Sequence, residues 1–385
     1  FYIIGDNMTR EENLKFREEV IKKQFKNALG YELNLDNPKT FNEKIQWLKL
    51  YYHDPLTTIC ADKYLVRGYI KEKIGEEYLI PLLGAWDKVD DIDFDSLPNQ
   101  FVLKVNWGSG QNIIVKDKSK LNIEETKNKL RYWMQPFCNL YYYYSFEWQY
   151  KNIPPKIICE KYIEQSNESI IDYKFYCFNG EPYFIHIVSK PHTNDTKVNM
   201  YNMNWEKLDL IYDNHKNIEE VNKEYKPSLF DLMIELSKKL SKNFFLVRVD
   251  FIIVNNKVYF GELTFTPTNG VGKFNPIEWD YKFGELLELP KEKKIEYDFI
   301  DKDTLFNQLY NLEIFARQYK IMEMEINRLK NNNVSKLNEE IKKLKIENNN
   351  LLSNYNKFDL FSIYKNEKYL RITLFGIKLT LKIKK

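Results

Sequence analysis

The stretch Arg248-Val-Asp-Phe-Ile-Ile-Val-Asn-Asn-Lys-Val-Tyr-Phe-Gly-Glu262-Leu-Thr264 decides how this chain folds. Two runs rich in β-branched and aromatic residues flank Asn255-Asn256, a tight-turn dipeptide, so the stretch reads as a β-hairpin. Each strand carries an acid at the end away from the turn, which sets Asp250 and Glu262 nearly opposite one another. With the Thr264 hydroxyl they form an all-oxygen donor set, which suits Mg²⁺ far better than zinc. Arg248 alternates onto the face of Asp250, where a guanidinium can stabilise a phosphoryl group in transfer. The same residues also read as an ion-pair network within a sheet, and the hairpin alone leaves both readings open.

Upstream, Phe101–Val105 and Asn112–Val115 read as strands joined by the turn Gly108-Ser109-Gly110. Lys104 leads into that turn, and an ammonium beside flexible backbone N–H donors is what a nucleoside triphosphate needs. The spacing matches neither the GxxxxGK[ST] loop nor a GxGxxG turn after a parallel strand. Further strands are expected at Lys156–Glu160, Asp172–Phe178 and Tyr183–Val188, the last two joined by the hairpin dipeptide Asn179-Gly180. The run Cys159-Glu160-Lys161-Tyr162-Ile163 reads as an edge strand. Its backbone can face an adenine edge while Glu160 accepts from the exocyclic amine, or it simply leaves its sheet. Phe230–Leu240 is helical, so residues 60–290 are α+β with mostly antiparallel pairing. Residues 1 to about 90 read mainly as helices. Glu11–Asn27 is amphipathic, Thr40-Phe-Asn-Glu43 has capping-box spacing, and Asp62–Ile74 keeps helical periodicity.

Four separated motifs together resemble the ATP-grasp ligases: Lys63, Lys104 with the 108–110 turn, Glu160-Lys-Tyr-Ile163, and Arg248-x-Asp250 with Glu262-x-Thr264. Four further stretches resemble the TupA-like group of bacterial surface-polymer clusters: Thr40-Phe-Asn-Glu-Lys-Ile-Gln-Trp-Leu-Lys49, Phe146-Glu-Trp-Gln-Tyr-Lys151, Asp172-Tyr-Lys-Phe-Tyr-Cys-Phe-Asn-Gly180 and Glu262-Leu-Thr-Phe-Thr-Pro267. The resemblance implies that Lys63 and Lys104 hold ATP phosphates under Gly108, Ser109 and Gly110. It implies that Glu160, Lys161 and Ile163 frame the adenine, and that Asp172 meets the ribose. Asp250, Glu262 and Thr264 would bind Mg²⁺, Arg248 and Lys104 would act on the transferring group, and Lys174 and Lys190 would meet substrate. The implied reaction joins a carboxylate (a uronic or amino acid) to an amine through an acyl-phosphate in capsular polysaccharide synthesis. Thr264 replaces a more usual Asn, Trp107 a His, and Ser189-Lys190 an Asp-Arg pair.

Composition narrows the alternatives. A net charge of +3 argues against a dedicated nucleic-acid binder, and no apolar run approaches the length of a membrane span. With no signal-peptide pattern, the chain is expected in the cytoplasm. The four cysteines lack any CxxC pair and the four histidines lack metal-ligand spacing, so neither zinc nor thiol chemistry is expected. His186 alternates with apolar residues and reads as a strand-face residue. Ile326 to Leu351 marks a helical stripe with one break, which reads as a coiled coil suited to homo-oligomers or as a solitary solvated helix. Residues 356–385 hold eight basic and two acidic residues, a β-rich composition that reads either as a small hairpin packed on a neighbour or as a surface touching anionic lipid at the inner membrane face or polysaccharide. The expected order is a helical region at 1–98, an ATP-grasp core of two lobes at 99–290, a helical segment at 291–355 and the basic tail. Two rivals remain. A glycosyltransferase would draw on Asp90-Asp91 or Asp93-x-Asp95, and a non-catalytic scaffold would bind ATP without turnover.

Overall fold

The computed structural model describes residues 9–296, apart from 109, 136–141, 143–144, 164–170, 190–195, 214 and 216–225, together with the backbone of three strands between 361 and 382. Residues 28–296 form one compact unit, and residues 1–27 with 297–385 another. In the latter, α1 (Arg10–Leu29) buries Asn13, Arg17, Ile21 and Phe25, a stripe at every fourth residue. Near the C-terminus, β12 (Phe361–Lys365), β13 (Tyr369–Leu374) and β14 (Ile377–Lys382) pair antiparallel in that order. The coiled-coil stripe from Ile326 to Leu351 lies outside the described residues.

Within residues 28–296, local chemistry sets the helices. α2 (Phe41–Tyr51) starts on a full capping box: Thr40 Oγ1 accepts from Glu43 N at 3.1 Å, and Glu43 Oε2 accepts from Thr40 N at 2.9 Å. α3 (Pro55–Ala61) has Asp54 as its N-cap and proline at its first position. The periodic run from Asp62 to Ile74 is not one helix, contrary to the sequence expectation. Asp62 Oδ1 accepts from Tyr64 N at 2.7 Å and Leu65 N at 3.2 Å, which closes a local turn, and α4 (Val66–Lys73) starts only after it. Lys63 stands on that turn.

The first sheet holds β1 (Leu82–Trp86), β2 (Phe101–Val105), β3 (Asn112–Val115) and β4 (Ile157–Lys161) in the order β1-β4-β2-β3. This corrects the reading of β4 as an edge strand. β1, inside a stretch read as mainly helical, pairs along it from Leu82↔Glu160 to Trp86↔Ile157, so β4 is interior. The sheet therefore reaches back to Leu82, ahead of residue 99, where the core was expected to begin.

The second sheet holds β5 (Ile171–Phe178), β6 (Glu181–Ser189), β7 (Lys197–Asn202), β9 (Leu246–Val254) and β10 (Lys257–Thr264), ordered β10-β9-β5-β6-β7. A two-stranded pair, β8 (Ile211–Tyr212) and β11 (Phe274–Asn275), lies apart from it. Every ladder among the described strands is antiparallel, which excludes a doubly wound parallel sheet. Both expected hairpin turns form with positive φ at two residues, Asn179 51° with Gly180 88° and Asn255 51° with Asn256 56°.

The faces of the second sheet separate by parity. Phe175, Cys177, Ile185, Ile187, Val247, Val249 and Phe251 join the main core with Leu130 of α5 (Ile123–Trp133) and with Phe230, Met233, Leu236 and Leu240 of α6 (Phe230–Ser241). The residues between them, Lys174, His186, Arg248 and Asp250 among them, point to the opposite face. Part of that face, at Tyr176, Phe178, Phe184 and Met200, is buried in a second cluster with Phe41 and Ile45 of α2 and Phe283 of α7 (Glu278–Leu286).

Candidate active site

The hairpin places Asp250 directly opposite Glu262, and Arg248 opposite Thr264. Strict alternation would not do this. Val258 and Phe260 belong to the core face, and Glu262 would follow them there. The pairing shifts between Phe260 and Glu262, leaving Gly261 as an extra residue, and this bulge turns Glu262 onto the face of Asp250. A side chain at 261 would meet Asp250 O at 3.1 Å, so the close approach favours glycine. A glycine inside a strand pattern is the signal that marks such a bulge.

Around Asp250 lies a dense charge cluster. Arg248 forks onto the carboxylate, Nε to Oδ1 at 2.7 Å and Nη2 to Oδ2 at 2.7 Å, and the same Nη2 reaches Glu262 Oε1 at 2.9 Å. Lys174 Nζ donates to Asp250 Oδ2 at 2.8 Å and lies 3.3 Å from Asp172 Oδ2. Thr264 Oγ1 donates to Glu262 Oε1 at 3.1 Å. Burial works to raise the Asp250 pKa, but Arg248 and Lys174 overcome it and hold the carboxyl below its ordinary value. Burial works against the Lys174 ammonium, and Asp250, Asp172 and Glu262 together more than offset this, so that pKa is raised. His186, the cross-strand neighbour of Lys174, is buried, and burial together with Lys174 and Arg248 keeps its ring neutral. Neither ring nitrogen of His186 has a hydrogen-bond partner among the described residues.

A second group gathers on the first sheet. Lys104 and Glu160 share one face, and Lys104 Nζ donates to Glu160 Oε2 at 2.6 Å. Arg67 of α4 donates to Glu160 Oε1 at 3.0 Å and to Ile80 O at 2.9 Å. The Glu160 carboxylate thus faces two cations, whereas the sequence reading aimed it at an adenine amine. Arg67 was missed because its helix carries no motif. Lys63 Nζ donates to Gly108 O at 2.6 Å. Burial lowers the Lys63 pKa, and Glu262 on the second sheet counters it, so this lysine feels carboxylates of both sheets. Lys161 is exposed at the end of β4, and Ile163 is half-buried in the loop beyond it. Gly110 adopts φ 64°, in the left-handed region. Ser109 and Lys190 lie outside the described residues.

Three of the motif stretches meet behind the hairpin. Gln46 Nε2 donates to Asn269 O at 2.9 Å and Gly270 O at 2.7 Å, and Lys49 Nζ donates to Asn269 Oδ1 at 2.5 Å. Gln149 Nε2 donates to Thr266 Oγ1 at 2.8 Å, and that hydroxyl donates to Glu147. Together α2 and the 146–151 segment clamp the loop that leaves β10 just past Thr264. Burial pushes the Lys49 ammonium down to about 8.

The other sequence candidates do not converge here. Asp93 Oδ1 accepts from Asp95 N at 3.0 Å and Ser96 N at 3.4 Å, and Asp90 pairs with Arg131 at 2.6 Å. Those acids close turns and pair at the surface instead of ending a strand. Cys60, Cys159 and Cys177 are buried and free, while Cys138 lies outside the described residues. Among the described residues no third acid, His or Cys joins Asp250 and Glu262 in a metal-binding group. Two carboxylates, with phosphate and water oxygens for the remaining coordination positions, make a donor set that fits Mg²⁺.

Comparison with known proteins places the chain. Solved structures similar to it include D-alanine–D-alanine ligase from Bacillus anthracis complexed with ATP, at 17% identity over 54% of this chain and 55% of that one, TM-score 0.33. The D-alanine–D-alanine ligase from Helicobacter pylori is 18% identical over 60% of this chain and 59% of that one, TM-score 0.34. Phosphoribosylglycinamide synthetase from Anaerococcus prevotii is 14% identical over 58% and 48%, TM-score 0.33. The chain thus spans about half to three fifths of the length of each. No curated protein sequence matches it significantly. The profile of the TupA-like ATP-grasp family matches residues 43–288, well over half of the 385, and the chain belongs to that family.

Proposed function

We propose that this chain is an ATP- and Mg²⁺-dependent ligase that joins a carboxylate to an amine through an acyl-phosphate, releasing ADP. The observation that carries the reading is the bulged hairpin, which puts two carboxylates and a doubly hydrogen-bonded guanidinium on one face of a sheet. Lys63 and Lys104 would meet the phosphates under the turn at Gly108, and Arg248 would steady the group in transfer. Asp250 and Glu262 would hold Mg²⁺, with Thr264 as the neighbouring oxygen. The bound ion would neutralise phosphate charge. The carboxylate is read as a uronic or amino acid, and the product as part of a capsular or cell-surface polysaccharide.

The test is direct. The purified chain, given ATP, Mg²⁺ and pairs of uronic or amino acids with amines, should release ADP in step with amide formation. AMP release would point to adenylation and overturn the acyl-phosphate route. Turnover of a nucleotide sugar without ATP would favour a glycosyltransferase instead.

Residues 356–385 and the stripe from Ile326 to Leu351 supply the rest of the proposal. The tail would dock reversibly on an anionic membrane face, and the stripe would pair copies of the chain. No helix among the described residues is long and apolar enough to cross a membrane.

A further inference from the structure

Both cations of the charge cluster converge on Asp250 Oδ2, an oxygen that the proposed metal would need. Arg248 Nη2 donates to Asp250 Oδ2 at 2.7 Å and to Glu262 Oε1 at 2.9 Å, so a guanidinium nitrogen sits between the two carboxylates. Lys174 Nζ occupies the same Oδ2 at 2.8 Å. The two cations differ in how firmly they are held. Arg248 is anchored on the same carboxylate by a second bond, Nε to Oδ1 at 2.7 Å. Lys174 is a point charge on a flexible stem, and two other acceptors stand within its reach. Asp172 is two residues back on the same face, at 3.3 Å. His186 is the cross-strand neighbour, buried and with both ring nitrogens unpartnered among the described residues. A neutral imidazole always offers one acceptor nitrogen, and a buried ring with neither nitrogen bonded needs an explanation.

We propose that Lys174 is the placeholder cation of this site: it holds Asp250 Oδ2 until a divalent ion arrives with its nucleotide, then swings to Asp172, His186 and the phosphate oxygens. The proposal rests on the reading of Asp250 and Glu262 as metal ligands. Its physical basis is charge balance. The cluster of Asp172, Lys174, Arg248, Asp250 and Glu262 carries a net single negative charge while Lys174 is in place. A divalent ion alone would turn that balance to a net single positive charge with the displaced ammonium still beside it, whereas a metal–nucleotide brings the anionic oxygens that receive it. Metal and nucleotide are then coupled ligands, each tightening the other by the same factor.

The experiment uses Mn²⁺ as the probe, titrated into the full chain without nucleotide and read by electron paramagnetic resonance of the free ion. Lys174→Met should bind Mn²⁺ at least tenfold more tightly than the wild type, and the double variant Lys174→Met/Asp250→Asn should lose that gain. Equal affinity in wild type and Lys174→Met overturns the proposal, as does a gain that survives Asp250→Asn. Should Lys174→Met fail to fold, the wild type decides. With ¹³C-labelled lysine, assigned through Lys174→Arg, the Lys174 ε-methylene signal should move on addition of Mg²⁺ with ADP but not of ADP with chelator. A signal unmoved by Mg²⁺ with ADP, in a chain that binds it, overturns the proposal. ADP affinity measured alongside separates the two readings. A chain blind to ADP sinks the ligase, while the Mn²⁺ comparison still judges Lys174.

Discussion

Among single residues, Asp250 and Glu262 share one charge cluster but carry opposite structural weight. Asp250 is buried under Arg248 and Lys174, so Asp250→Asn leaves two cations short of charge. It should lower stability by about 3–5 kcal/mol as well as ending turnover. The Glu262 side chain is 48% exposed, and Glu262→Gln should leave the melting temperature within a few degrees of the wild type. Its ADP release should still fall by about a hundredfold or more, as for loss of one aimed charge. Thermal melts and ADP release measured on both variants check the contrast, and a Glu262→Gln enzyme at full activity would remove Glu262 from the chemistry. Residue types alone announced this pair. Its partners were less legible. Lys174 was read as a weak substrate contact and Arg67 was missed, because each acts across strands or between a helix and a sheet.

At the scale of elements, the bulge in β10 and the cap of α2 each turn local chemistry into position. Gly261 lets the strand shift register against Asp250, and Gly261→Val should push Glu262 out of line. ADP release should drop at least tenfold while far-UV circular dichroism stays native; unchanged turnover would show that the bulge tolerates a side chain. At α2, Asp280 of α7 accepts from Asn42 N at 3.0 Å, Asn42 Nδ2 at 2.8 Å and Tyr31 OH at 3.0 Å. Burial nevertheless pushes its carboxyl up to about 6. A carboxyl raised in the folded state binds its proton more tightly there than in the unfolded chain. Its contribution is therefore fully present below the ordinary Asp range and is lost as pH rises through about 6. That tighter hold on the proton amounts to about 2–3 kcal/mol of stability, all of it gone once the carboxyl is ionised. Denaturant unfolding from pH 4 to 7 should show this decline, and Asp280→Asn should flatten it.

At the scale of the whole molecule, charge divides unevenly. Residues 356–385 carry a net +6, so the rest of the chain is net −3 although the total is +3. A basic module on an otherwise acidic protein suits the proposed docking on anionic lipid, at about 1 kcal/mol per basic residue near the surface. Changing Lys378, Lys382, Lys384 and Lys385 to Glu should weaken binding to phosphatidylserine vesicles by at least a hundredfold and leave ADP release unchanged. Cosedimentation measures the first, and undiminished vesicle binding would remove the tail from any membrane role.

Legible from the residues alone were the hairpins, the capping box, the facing of Asp250 and Glu262 across one hairpin, and the family. These rest on short-range rules: turn dipeptides such as Asn179-Gly180 demand positive φ, and period-two alternation assigns faces. Tertiary structure decided what those rules do not reach. β1 covers β4 because Leu82–Trp86 finds a partner about seventy residues away, a pairing with no local signature. The helix expected from Asp62 gave way to a side-chain turn that sets Lys63 against Gly108. The Glu160 carboxylate turned to Lys104 and Arg67, and Asp250 to Arg248 and Lys174, because a buried charge takes the opposite charges that the fold brings within reach.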